Sequence, residues 1–590
     1  MIQPRRNHHQ LPAPVIRMGP CTVPVLLCFS SSMSCRFLSP NQYHTPPSHF
    51  LPLSPYSMSF YFRHLCELFD TINSSGTKSP GNISVVIHTW FDEHDADIPR
   101  HGPGAVAFLS CLFPERRPDR VLGVHKSDLE RIIQSAHGLG QTRMSELQCW
   151  RNPDGPDFAA AVQRVLSVAE SGPRFRDSVT IGEIEQALNR IASRSPFSSS
   201  SLKDEVRQTN SEPVGRSNEL AAIFRRLHSS STKWMIRIMF KDLSSLELPE
   251  RLILRRFHFL LPDLLQFQNS FHACVAALET DTIKEMPIKP AEQDENFLQN
   301  SASCHFKPRP GITVGLPCRD KARSIAHCCQ LVRGRTMSVE EKYDGEYCQI
   351  HVCLIESGPK IQIFSKSGRD STTDRAGVYG AIVAGLAIGT PQCKFQRTCI
   401  MEGELLVWND DSKQIERFRK IRKHVQRAGH RLGCAQDSPI QESEHLMVML
   451  YDLLLLDDDI CVREPHDRRR RQLRSTVRCI QGWFDIGAST KIDFGSRGAA
   501  DRLRQLFAAT IARGGEGLVL KGCAEDIQEM GGMSRHPSMP PCPIGSRSNS
   551  VSRLYHTDSD TINFVFRNIV QYIWKRHSLE NEYVYFVPVS

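Results

Sequence analysis

The sequence predicts a multidomain chain with an all-α N-terminal domain followed by an α+β domain built on antiparallel sheets. Three observations carry that expectation. At 590 residues there is room for about three or four domains. From Met58 to about Glu279 apolar residues recur at helical spacing behind helix-start signals, whereas from about Gly311 short strands and turns take over. Hydrophobic residues at 40% and charged residues at 23% describe a globular chain and exclude a wholly disordered one.

Residues 1–57 read as a disordered leader, rich in Pro, Ser and His; the first carboxylate is Glu67. An acid-free start suits a mitochondrial transit peptide, but Pro12, Pro14, Pro20 and Pro24 would break the amphipathic helix such peptides use. Met58 as the true start is the favoured alternative.

Residues 58–285 form the helical domain. Ser127 and Glu130 suggest a capping box ahead of Leu129, Ile132, Ile133 and Ala136, with Gly138 and Gly140 able to end the helix. Thr180 and Glu183 repeat the device before Ile184, Leu188 and Ile191. The serine run Ser195–Ser201 and the polar stretch to Gly215 read as a loop. Between Lys233 and Lys241 three cations, Lys233, Arg237 and Lys241, recur every fourth residue, so one helix edge would carry them all. Such an edge is either solvated or faces phosphates.

After a linker over 286–310, residues 311–523 form the sheet domain. Gln349–Ile355 and Lys360–Phe364 read as two strands around the turn Glu356-Ser357-Gly358-Pro359. Leu446–Leu456 is an apolar run closed by Asp457-Asp458-Asp459, the pattern of a buried strand. Gly517–Lys521 is another strand. Residues 524–590, rich in Met, Pro and Ser at their start, remain unassigned.

The formal charge of +9 and pI near 8.7 are compatible with a nucleic-acid partner without requiring one. The twenty cysteines show no Cys-x-x-Cys pair and read as reduced thiols, mostly buried, with Cys328-Cys329 in a core. No apolar run reaches the length of a membrane span.

Chemistry concentrates at Lys342-Tyr343-Asp344-Gly345, a Lys-x-Asp-Gly motif of the kind that carries a nucleophilic lysine in enzymes that attach a nucleotide to themselves. Three fixed residues recur by chance in roughly one chain in ten of this length. Asp344-Gly345 is also a good hairpin turn, with alternating Ile350, Val352 and Leu354 behind it. Companions elsewhere have to decide between catalytic lysine and turn.

The companions are Glu340, Phe364-Ser365-Lys366-Ser367, Glu402-Gly403-Glu404, Tyr451-Asp452-Leu453-Leu454 and Glu516-Gly517-Leu518-Val519-Leu520-Lys521, and in that order around Lys342 they resemble the eukaryotic ATP-dependent DNA ligases, nearest the DNA ligase IV branch and fungal ATP-dependent DNA ligase domain proteins. Leu109-Ser110-Cys111-Leu112-Phe113-Pro114-Glu115-Arg116-Arg117, Asp119-Arg120-Val121, Gly138-Leu139-Gly140, Lys233–Leu243 and Phe257-His258 resemble that family's helical DNA-binding domain. The resemblance implies that Lys233, Arg237 and Lys241 meet DNA phosphates. It also makes 311–523 an adenylation (nucleotidyltransferase) domain in which Lys342 becomes a lysyl-AMP. Glu340 then meets the adenine amino group, and Lys366, within Phe364-Ser365-Lys366-Ser367, contacts the nucleotide. Glu404, within Glu402-Gly403-Glu404, lies near ribose and metal, and Tyr451 stacks on adenine. Glu516 of Glu516-Gly517-Leu518-Val519-Leu520-Lys521 holds Mg2+, and Lys521 faces the phosphates. ATP and Mg2+ are the implied cofactors and nicked or broken duplex DNA the implied partner, with no membrane, in the nucleus or alternatively the mitochondrion.

The chain departs from the family in places. Tyr347 stands where most DNA ligases have an arginine, and Lys366 replaces a second one, removing two planar bidentate donors. The expected Lys-x-Lys strand after Lys521 has only the badly spaced Ile573-Trp574-Lys575-Arg576 as a counterpart, and neither an OB-fold domain nor the BRCT region that recruits a coiled-coil scaffold is recognisable. Two alternatives therefore stand beside a DNA ligase: an incomplete ligase-like protein that binds DNA and senses nicks, and an RNA-capping guanylyltransferase, against which Glu340 and the helical domain argue.

Overall fold

The computed structural model describes residues 60–74, 80–170, 178–209, 215–316, 319–427, 430–431, 441–524 and 561–565. The leader, the stretch 525–560 and Ile573–Arg576 lie outside them. No helix among the described residues is long and apolar enough to cross a membrane.

A helical region comes first, followed by a region of sheets. The Thr180–Glu183 capping box forms as predicted: Thr180 N donates to Glu183 Oε2 at 2.8 Å and Glu183 N to Thr180 Oγ1 at 3.2 Å, opening the helix Ile181–Ser193. The other box is displaced. The helix Lys126–His137 is capped by His125, whose N–H donates to Asp128 Oδ2 at 3.3 Å, and it ends at Gly138 with φ 61°. Ser127 lies within its first turn, and Glu130 is buried, accepting from Trp150 Nε1 at 2.9 Å.

Two expectations change. The serine run is no simple loop: Ser199 caps the helix Ser200–Gln208 by accepting from Leu202 N at 3.2 Å. The linker 286–310 contains the helix Glu292–Ser301, and its Phe306 and Ala302 join the helical core. Aromatic residues dominate that core, with Phe62, Phe69, Phe108, Trp234 and Phe257 almost fully buried.

The strands are β1 (Arg319–Lys321), β2 (Thr336–Glu341), β3 (Glu346–Ile355), β4 (Gly358–Phe364), β5 (Thr398–Asn409), β6 (Gln414–Ile415), β7 (Gln426–Arg427), β8 (His430–Arg431), β9 (Glu444–Leu456), β10 (Phe484–Ile486), β11 (Ser489–Asp493), β12 (Gly517–Gly522) and β13 (Thr561–Val565). One sheet runs β1-β13-β12-β2-β11. A second runs β10-β9-β5-β3-β4, with β6 on β5, and β7 pairs with β8. Pairing is antiparallel except at two edges, β1 with β13 and β10 with β9. The predicted hairpin is β3–β4, and Ile355 opposite Gly358 leaves Glu356-Ser357 as its two-residue loop.

Lys342–Gly345 is not a hairpin. β2 and β3 lie in different sheets, so the motif is the crossover between them. Gly345 is forced there: a Cβ at this position would lie 2.3 Å from the carbonyl oxygen of Leu405, a backbone atom that cannot swing aside.

The segment leading from the helical region into the sheets is fixed to β3 by polar contacts. His351 Nδ1 accepts from Gly311 N at 3.0 Å, while Gln349 Oε1 accepts from Val314 N at 2.8 Å and lies 2.9 Å from His351 Nε2. An Nδ1 that accepts places the ring proton on Nε2. Ile400, Leu454, Leu455 and Val462 of the sheet region also share the helical core.

This packing implies a stability profile. Burial holds His351 at about 3, and burial followed by the charges of Arg100 and His101 holds His258 at about 4. Both sit below the unfolded imidazole near 6.5, so the unfolded chain binds protons first as pH falls. Their contribution is complete above pH ~6.5 and is lost as pH falls towards 4 and 3. Thermal denaturation should give a flat melting temperature from pH 8 to 7 and a falling one below ~6.5; no change down to pH 4.5 would show that these rings are protonated in the fold.

Candidate active site

The site is assembled on the end of β2, the crossover, β5, the bulged part of β9, β12 and one helix. Lys342 N donates to Gly517 O at 2.9 Å, fixing the crossover to β12. The Lys342 ammonium pairs with Glu516, and the two side chains are 28% and 15% accessible. Glu404 borders the same crossover, since its Cγ lies 2.7 Å from where a Cβ on Gly345 would be. Tyr343 packs below with Leu406, Trp408, Met447 and Met449, and burial, followed by the charge of Glu341, raises its phenol to about 12.

Glu340 stands opposite Val519 on β12 and Ser489 on β11, and Ser338 opposite Lys521. The period of two puts Ser338, Glu340 and Lys521 on one face. Glu340 is buried and fully engaged. Its Oε1 accepts from Ser338 Oγ at 3.2 Å and lies 3.0 Å from His466 Nε2, while its Oε2 faces Lys521 Nζ at 3.0 Å. Burial alone would raise its pKa, but the charge of Lys521, the His466 hydrogen bond and Arg470 outweigh it and hold the carboxyl at about 2.

On β9 the register steps from Glu402 opposite Asp452 to Gly403 opposite Leu450. Tyr451 is therefore the extra residue of a β-bulge, a device that re-aims a side chain. Its ring carries Lys521 Nζ 4.7 Å from the centroid. Asp452 beside it receives Arg469 Nε at 2.8 Å and Nη2 at 3.1 Å, and the Arg469 charge, the His466 hydrogen bond and Lys521 hold it well below the usual carboxylate range against the opposing effect of burial.

The structure thus brings Glu340, Tyr451 and Lys521 together, and sets Lys342, Glu404 and Glu516 around the crossover. Lys366 is exposed in the turn Ser365–Arg369, where Gly368 lies close to Pro118 of the helical region. Tyr347 turns inward: its hydroxyl donates to Glu402 Oε1 at 2.5 Å and receives Gln349 Nε2 at 3.1 Å. Burial, reinforced by the Glu402 charge, keeps that phenol protonated far above its ordinary range.

Sequence reasoning missed Asp452 and the helix His466–Thr476, which supplies His466, Arg469 and Arg470. Their i, i+3, i+4 spacing was the available signal, masked by a run of arginines that reads as a solvated face. It missed Arg375 too, buried with Nη2 2.8 Å from Glu346 Oε2 and Nη1 3.3 Å from the Tyr347 carbonyl.

The cationic edge in the helical region requires correction. The helix Ser229–Met239 ends before Lys241, which has φ 54°. Lys233 is 6% exposed and donates to Asp70 at 3.1 Å; Arg237 is bound to Asp157 at 2.9 Å; Lys241 donates to the Arg117 carbonyl at 2.5 Å. Burial and the nearby charge of Arg120 lower Lys241 to about 8. Lys233 and Lys241 are committed to partners inside the helical region, whereas Arg237 forms a surface pair with the exposed Asp157, and the three do not line one helix edge.

Comparison with known proteins matches residues 319–535 to the family model described as ATP dependent DNA ligase domain and residues 61–258 to the one described as DNA ligase N terminus. DNA ligase 4 of Dictyostelium discoideum is 23% identical over 492 residues, covering 79% of this chain and 41% of that protein. DNA ligase 4 of Arabidopsis thaliana is 21% identical over 374 residues, 62% of this chain and 26% of that protein. The chain thus spans less than half the length of either relative. A solved structure, the mycobacterial DNA ligase D complexed with ATP and MES, aligns with 36% of this chain and 55% of its own at 16% identity and a TM-score of 0.25.

Proposed function

The chain belongs to the ATP-dependent DNA ligase family, and on that premise we propose that it seals breaks in duplex DNA through a lysyl-AMP on Lys342, in nuclear repair or end joining. The observation that carries the reading is the crossover: a lysine between two sheets, bordered by two carboxylates and close in the chain to Glu340. The Lys342 amine, once it has given up its proton, forms a bond to the α-phosphorus of ATP, and the bond to pyrophosphate breaks. AMP passes next to the 5′-phosphate at the break. The 3′-hydroxyl then displaces AMP and closes the strand, positioning and charge stabilisation doing most of the work.

In this reading adenine lies on the Tyr451 ring with its amino group at Glu340, and Lys521 serves the phosphates. Lys521 now covers Tyr451 and pairs with Glu340 Oε2, so its withdrawal towards phosphate would clear both adenine contacts in one movement. Glu404 and Glu516 are hard oxygen donors bordering the same crossover, a fit for magnesium with water completing the shell. Bound there, magnesium would supply positive charge opposite the phosphate oxygens. Of the three cations, Arg237 in its surface pair is the one open to DNA phosphates as it stands, and Lys366 would meet the nucleotide from its exposed turn.

A second reading has its own support. β13, the strand antiparallel to β12, reads Thr-Ile-Asn-Phe-Val and has no lysine, whereas the resemblance leads one to expect Lys-x-Lys soon after Lys521. A protein that binds DNA and senses nicks without full turnover would need no such pair. Incubation with magnesium and α-labelled ATP or GTP, followed by nicked duplex, separates the cases. The expected result is label from ATP on the chain that nicked duplex discharges as free AMP, with a sealed strand formed in step. Label without sealing supports the second reading, and labelling from GTP in preference supports the capping class.

A further inference from the structure

Away from Lys342, one group of metal-ligating side chains comes together among the described residues, at the start of the helical region. His64 and Glu67 are three residues apart on the helix Phe62–Ser74 and share a face. His94 follows the helix Pro80–Glu93, and the packing of the two helices brings the His64 and His94 ring centroids to 5.0 Å. One ligand atom from each of the three residues lies within 4.8 Å of the others.

Two details distinguish this from ordinary aromatic packing. His64 Nδ1 is buried and has no hydrogen-bond partner. It lies 3.6 Å from Glu67 Oε2, too far for a hydrogen bond yet close to the edge of a tetrahedron whose ligands are each about 2.0–2.2 Å from a central ion. His94 is already oriented: its Nδ1 lies 3.0 Å from the Trp90 carbonyl, so a proton there donates and leaves the Nε2 lone pair available. Its ring stacks on Trp90 at 4.6 Å, and Trp90 Nε1 in turn donates to the His64 carbonyl at 3.2 Å.

We propose that His64, Glu67 and His94 form a binding site for a divalent transition-metal ion of the zinc type that ties the first two helices together. Two imidazoles and one carboxylate suit zinc and its neighbours better than magnesium or calcium, which prefer all-oxygen shells. Glu67 is 45% accessible and His64 26%, so an ion has a path in and a fourth position is open to water. Because the ion would bind the folded arrangement alone, it would stabilise the helical region and stand apart from the chemistry at Lys342.

The test uses the full chain, stripped with a chelator and titrated with cobalt(II) followed by zinc. Twenty cysteines compete for such ions, but thiolate sites show intense sulfur-to-cobalt charge transfer that a nitrogen–oxygen site lacks. The expected result is one equivalent of cobalt with visible d–d absorption and no added charge transfer, displaced by zinc with a rise in melting temperature. Glu67→Gln, at an accessible position that leaves the fold intact, should weaken this equivalent at least tenfold, and His94→Gln should remove it. A wild-type chain without a thiolate-free equivalent, or variants that retain it at full strength, would overturn the site.

Discussion

Lys342→Ala should abolish covalent labelling of the chain by α-labelled ATP, a loss of at least about a thousandfold against the wild type, because no other group at the crossover supplies an amine nucleophile. The loss should not come from unfolding. The Lys342–Glu516 pair is partly open to solvent, and a pair of this kind is worth about 0–1 kcal/mol, too little to disturb a chain of this size. Lys342→Arg sharpens the test: it keeps a cation for Glu516 and should melt like the wild type, yet a guanidinium that stays protonated cannot attack phosphorus. Label retained by either variant would place the nucleophile elsewhere and sink the assignment. Binding of nicked duplex, measured in parallel, should survive both substitutions, which separates lost chemistry from lost substrate.

How much of this was legible in the sequence depends on how far apart the partners are. The Thr180–Glu183 box and the β3–β4 hairpin were readable because each is fixed by residues a few positions apart. The crossover was not, since Asp344-Gly345 has the same local chemistry in a hairpin; what excludes the hairpin is the pairing of β2 with β11 and β12, about 150 residues and more downstream. The ordered motifs pointed to Glu340, Tyr451 and Lys521, but His466 and Arg470, which also face Glu340, come from a helix whose arginine run looks solvated. The burial of Lys233 was illegible for the converse reason: Asp70, a carboxylate 163 residues earlier in the chain, turns a surface-looking cation into a buried one.

The same logic of distant partners predicts the largest stability effect. Glu185→Ala should cost the helical region about 3–5 kcal/mol, read as a lower urea midpoint at an unchanged slope. Glu185 is buried on the helix Ile181–Ser193 and lies between two guanidiniums: Arg117 pairs with its Oε1 and Arg120 Nη1 donates to its Oε2 at 2.5 Å. Those arginines are only 1% and 2% exposed, so truncation strands buried charge that water cannot reach. Arg117 keeps Asp119, with Nε 3.0 Å from Oδ1, but one carboxylate then serves two cations. The pH dependence tells this mechanism from a simple cavity. Burial opposes ionisation of Glu185, yet Arg117 and then Arg120 hold it at about 2, below the 4.5 of an unperturbed glutamate. A depressed folded pKa gives stability that is complete above ~4.5 and drains away as pH falls towards 2, because the unfolded chain takes up the proton first. The gap between wild type and Glu185→Ala should therefore be widest near neutrality and narrow steadily below pH ~4.5; a gap that stays constant to pH 3 would mean that the side chain's volume, and not its charge, holds the two arginines in place.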